Sequence, residues 1–117
     1  MYKAVIVEDD SISAEALTDL LKLGDIDIEI IETYSSVQDA VQGLTKSNPD
    51  LVFLDMELQD GKGFDVLQAL GDISFEVIIT TSHETYMLEA IKRSALDYLL
   101  KPIQHQDLAE AFTRFEA

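Results

Sequence analysis

At 117 residues the chain is long enough for one domain and too short for two. It has no cysteine, which excludes disulfides and thiolate metal sites, and its apolar runs are far too short to span a bilayer. Twenty-three acidic against eight basic residues give a net charge of −15, which argues against direct nucleic-acid binding, because that depends on clustered Lys and Arg.

Met1 to Val5 enters an apolar run at once and lacks the long h-region of a secretion signal, so a cytoplasmic location is expected. Ala4 to Val7 reads as a buried strand. A helical stretch follows, with Ile12, Ala16, Leu20 and Leu23 on one apolar face and Gly24 near its stop. Ile26 to Ile31 alternates with Asp27 and Glu29, the pattern of a strand with one wetter face. Ser36-Val37-Gln38-Asp39 resembles a capping box, and Val37, Ala40, Val41 and Leu44 follow at helical spacing until Asn48-Pro49. Leu51 to Leu54 is a third strand and Asp60-Gly61-Lys62-Gly63 a turn. Phe64, Leu67 and Leu70 mark a third helix, closed by Gly71. Phe75 to Thr80 is a fourth strand, Tyr86 to Lys92 a fourth helix and Leu96 to Leu100 a fifth strand. Leu108, Ala111, Phe112 and Phe115 stripe the last helix. Strands alternating with helices predict an α/β fold, a (βα)5 doubly wound parallel five-stranded sheet forming one domain over residues 1–117.

In such sheets ligands sit outside the carboxyl ends of the strands, near the point where strand order reverses. The first strand runs into Glu8-Asp9-Asp10, the third into Asp55, the fourth into Thr80-Thr81-Ser82 and the fifth into Lys101-Pro102. Singly, an acid after a strand reads as a helix cap and a Lys-Pro as a loop. Together they specify a chemistry. Crowded carboxylates repel one another, and a hard cation relieves the repulsion; Mg²⁺ suits oxygen ligands and keeps waters of its own. A carboxylate beside such an ion can act as a nucleophile toward phosphorus and form an acyl phosphate. The charge on the transferring group is then neutralised by metal, lysine and hydroxyl. His83 and His105 are isolated and read as ordinary surface or loop residues, and Gly61 and Gly63 as turn glycines.

Along essentially its whole length the sequence resembles the response-regulator receiver family. The resemblance rests on Ile6-Val7-Glu8-Asp9-Asp10, on Asn48 to Met56, on Thr81 after the fourth strand and on Leu99-Leu100-Lys101-Pro102. Ala95 to Ile103 is most similar to receivers that precede LytTR-type DNA-binding domains, as is the spacing from Thr81 to Lys101. The resemblance implies a flavodoxin-like fold of strand order 2-1-3-4-5 and a phosphoacceptor at Asp55, supplied by a sensor histidine kinase. It implies an Mg²⁺ site at Asp9, Glu8 and Asp55 with the backbone carbonyl of Glu57. Lys101 and Thr81 would contact the phosphoryl group, and Thr81 with Tyr98 would form the switch. It also implies a cis Lys101-Pro102 bond, and a responding face on the fourth helix, fifth strand and fifth helix that suits a homodimer. The domain would be a signalling element, not an enzyme with an external substrate, either a stand-alone receiver or, as the LytTR-like stretch favours, the front end of a regulator with an output domain outside this chain.

Some positions stay open. Three acids follow the first strand where two are needed; Glu8 and Asp9 are preferred because Asp10 can cap the helix. Thr80 competes with Thr81, which the spacing favours. A phosphatase of the haloacid-dehalogenase type would want an acid of the Asp type at Glu57 and a cap domain. An FMN-binding module would not place Glu8-Asp9-Asp10 where phosphate must bind. A receiver that no longer takes phosphate is the remaining rival.

Overall fold

The computed structural model describes residues 1–117. Strand β1 (Tyr2–Val7) leads into helix α1 (Ser11–Leu23), β2 (Ile28–Tyr34), α2 (Val37–Lys46) and β3 (Leu51–Leu54). A two-residue antiparallel hairpin, Glu57–Leu58 against Gly61–Lys62, precedes α3 (Gly63–Leu70). Then come β4 (Glu76–Thr81), α4 (Met87–Lys92), β5 (Asp97–Leu100) and α5 (His105–Glu116). The five long strands form one parallel sheet in the order β2-β1-β3-β4-β5, as expected.

Continuous apolar runs suit central strands buried on both faces, and alternation sends successive residues to opposite sides. In β1, Ala4 and Ile6 join Leu17, Leu21, Phe53, Leu99, Leu108 and Ala111 beneath α1 and α5. Val5 and Val7 join Ala40, Leu44, Leu54, Val66, Ile79 and Ala90 beneath α2, α3 and α4.

The apolar face expected for α1 is not the one the sheet takes. Leu17 and Leu21 are buried, while Ile12 and Leu23 are 77% and 81% exposed. The helix carries two overlapping apolar arcs at helical spacing; Leu17 and Leu21 enter the core, with Ala14 and Leu20 partly buried against it. Strand β2 starts later than expected and runs to Tyr34, because its pairing with β1 skips Ile31: Ala4 faces Ile30 and Val5 faces Glu32. Gly63 belongs to α3 instead of the preceding turn. Helix α2 keeps its expected cap, with Ser36 Oγ accepting the Asp39 N–H at 3.1 Å, and stops at Lys46. No helix is long and apolar enough to cross a membrane.

Candidate functional site

The carboxyl edge of the sheet is built by extending the ladder one residue past each strand. The Glu8 N–H donates to the Tyr34 carbonyl (2.8 Å), Asp55 N–H to Val7 (2.9 Å) and Lys101 N–H to Thr81 (2.8 Å). Each side chain therefore leaves the sheet from a fixed backbone. Glu8, Asp55 and Thr81 are buried, and Asp9 stands at the rim. One carboxylate oxygen from each of Glu8, Asp9 and Asp55 lies within 4.8 Å of the others. Asp10 is turned away to cap α1, accepting from the Ile12 N–H (3.1 Å) and the Ser13 hydroxyl (3.0 Å). Asp10 is thus the helix cap, while Glu8 and Asp9 are the acids that face Asp55.

One cation serves this cluster. The Lys101 ammonium pairs closely with Glu8 and lies 3.6 Å from Asp55 Oδ2. Burial pushes the Glu8 carboxyl above its usual range; Lys101 opposes the rise and Asp55 adds to it. Asp9 is also raised, by partial withdrawal from water and then by the Glu8 charge. Too little positive charge for three carboxylates, with only oxygen donors facing inward, is a donor set that fits a hard divalent cation.

Thr80 and Thr81 are both buried, and strand alternation sends them to opposite faces. Thr81 Oγ1 accepts the His83 N–H at 3.4 Å. Tyr98 is half-buried at the start of β5, and its hydroxyl donates to the His83 carbonyl. Burial raises its phenol above the ordinary value. The Lys101-Pro102 bond is cis.

Two features of the site were not legible beforehand. Gly63 is packed against the acceptor backbone: a Cβ there would stand 2.3 Å from the Asp55 carbonyl oxygen and 2.4 Å from Met56 Cε. The Glu57 side chain, of interest in sequence only for its backbone, is bonded to Lys62 across the hairpin. It also accepts from the Tyr86 hydroxyl at 3.2 Å and faces His83 Nε2 at 3.6 Å. Lys62 holds this carboxyl below its usual range. No local sequence signal links Glu57 with Tyr86.

On the face formed by α4, β5 and α5, Arg93 and Asp97 are paired within the chain to Glu89 (2.9 Å) and Arg114. The same face leaves Met87, Leu88, Ile91 and Leu100 exposed.

A family profile described as "Response regulator receiver domain" matches residues 4–113. The chain is 31% identical to the sensory transduction protein LytT of Bacillus anthracis, over 99% of this chain and 48% of that protein. It is 32% identical to the sensory transduction protein LytR of Staphylococcus epidermidis, over 97% of this chain and 46% of that one. It spans about half the length of these relatives. Among solved structures, the signal receiver domain of a putative Luxo repressor protein from Vibrio parahaemolyticus superposes with a TM-score of 0.83 and 31% identity. That superposition covers 98% of this chain and 92% of the other.

Proposed function

The chain belongs to the response-regulator receiver family of two-component signalling, and from that premise we propose that Asp55 accepts a phosphoryl group from a histidine kinase. The observation that carries the reading is the Asp55 carboxylate itself. It is buried at the end of β3, within 4.8 Å of Glu8 and Asp9 and 3.6 Å from the Lys101 ammonium.

An Asp55 oxygen attacks phosphorus while the bond to the donor imidazole nitrogen breaks, the electron pair staying on the nitrogen. An acyl phosphate remains on Asp55. Lys101 moves part of its charge from Glu8 to the phosphoryl oxygens. The Thr81 hydroxyl, now occupied by the His83 N–H, turns to donate to the same group. Asp9, Glu8, Asp55 and the backbone carbonyl of Glu57 would hold Mg²⁺, which when bound neutralises the carboxylates and the phosphoryl oxygens. Movement of Thr81 loosens the loop on which Tyr98 is hydrogen-bonded, and the α4, β5 and α5 face responds. The exposed apolar residues on that face support a homodimer; sedimentation showing monomer with and without beryllofluoride would refute it. The names and greater length of the relatives support an output domain, here of LytTR type, acting on transcription.

Intact-mass analysis after acetyl phosphate and Mg²⁺ should show one added phosphoryl group, absent in Asp55→Asn. Labelling that persists in that variant would overturn the assignment.

A further inference from the structure

Helix α4 is held to the domain by few contacts. It is six residues long, too short to be stable alone, and Ala90 is its only buried residue. Leu88 and Ile91 are 64% and 68% exposed, so little apolar burial fixes where the helix lies. Its placement falls to the two ends. At the C-terminal end Arg93 lies over the Phe64 ring of α3, 5.0 Å from its centroid. At the N-terminal end Tyr86 stands edge-on to the same ring at 6.2 Å and passes its hydroxyl to Glu57 Oε1. Glu57 Oε2 is meanwhile held by Lys62, whose ammonium also lies 5.7 Å from the Tyr86 ring centroid. Glu57 is two residues beyond Asp55 in one continuous backbone, and that backbone is wedged against Gly63.

We propose that the Glu57 carboxylate is a tether joining the start of α4 to the acceptor loop, so that α4 is positioned by the Asp55–Glu57 segment as well as through Thr81 and Tyr98. The tether meets the Tyr98 path at one place. Tyr98 holds His83 by its carbonyl, and Glu57 faces the His83 ring. The β4–α4 loop is therefore gripped from the β5 side and from the acceptor side. A shift of the acceptor loop would reach α4 directly through one carboxylate. Its link to phosphorylation rests on the Asp55 reading above; the tether itself is testable in the unmodified protein.

The test is native-state hydrogen exchange at the Ala90 and Arg93 amides, which close the helix on the Tyr86 and Glu89 carbonyls. Tyr86→Phe keeps the ring on Phe64 and removes only the hydroxyl. It should speed exchange at both amides roughly fivefold, the change one net hydrogen bond carries at a partly exposed site. Glu57→Ala should do at least as much, and the double variant should be no faster than Glu57→Ala alone. Amides that exchange by fraying at the ends of α1 and α5 open with the Tyr86–Glu57 bond intact and should be unaffected by Tyr86→Phe. Unchanged exchange in α4, or additive effects of the two substitutions, would overturn the tether. Beryllofluoride with Mg²⁺ should shift α4 amides less in Tyr86→Phe than in wild type, and equal shifts would also count against it. Wild-type protein that takes no phosphoryl group while the exchange pattern holds would overturn the Asp55 reading and leave the tether supported.

Discussion

Replacing Lys101 with methionine isolates the role of the one cation in the acidic cluster. Methionine keeps much of the stem and removes the charge, so Glu8 and Asp55, both buried, lose the ammonium they share. Breaking a buried ion pair from one side costs about 3–5 kcal/mol. The Lys101 side chain is 18% exposed, so the lower end applies, about 3 kcal/mol. For a domain of this size that is a fall in melting temperature of roughly 10 °C. The assay is thermal unfolding in EDTA at neutral pH, where no metal substitutes for the lysine. Adding Glu8→Gln removes one of the two orphaned charges and should recover roughly half of the loss, whereas in the wild-type background it should not stabilise to the same degree. A Lys101→Met variant that melts at or above wild type would refute the reasoning. So would a Glu8→Gln effect of equal size and sign in both backgrounds.

Mg²⁺ should raise the melting temperature of wild type by binding the folded state, and Asp9→Ala should flatten the titration; the same curve in both proteins would exclude the site. Gly63→Ala should destabilise by about 2 kcal/mol in urea unfolding, because its Cβ overlaps the Asp55 carbonyl; wild-type stability would show that the loop yields freely. Asp60 accepts the Val37 and Gln38 N–H groups at 2.6 and 3.1 Å, which hold its carboxyl below the ordinary value. Its contribution is therefore complete above the ordinary aspartate range and is lost as pH falls through the lower folded value. The urea midpoint of Asp60→Asn should lie below wild type at neutral pH, with the gap closing under about pH 4; a gap independent of pH would show that the charge plays no part.

The sequence was informative where burial on both faces leaves a contiguous run. Leu51 to Leu54 reads as a strand with the right ends, and the acid that follows is the buried Asp55. Helix α1 was harder for a physical reason. Ile12, Ala16, Leu20 and Leu23 have helical spacing, but Leu17 and Leu21 extend the apolar arc sideways. The choice between arcs is made by contacts with Phe53, Leu99 and Leu108, far away in sequence. The end of β2 depends on a skipped residue, Ile31, which no local pattern marks. Residues 60 to 63 read as a turn and the hairpin went unseen because two-residue strands carry no period; it is the cross-strand Glu57–Lys62 pair that identifies it.

Within the site the same division holds, and strand order explains it. β1 and β3 are neighbours, so once each strand's last residue is known, Glu8 and Asp55 must meet; the Asp55 N–H bond to Val7 is the geometric statement of that. Lys101 has a longer way to come. It leaves β5, an edge strand two places from β3, a lateral distance of about 10 Å at ordinary strand spacing. Only a long side chain crosses that gap over the end of β4, and a cation that must serve Glu8 and Asp55 together needs donors that point in more than one direction. An ammonium meets that need as a compact charge with three rotatable N–H groups, while a planar guanidinium favours one carboxylate held by two parallel bonds. In the proposed phosphotransfer the same freedom would let Lys101 transfer charge from Glu8 toward the group arriving on Asp55 with no movement of β5.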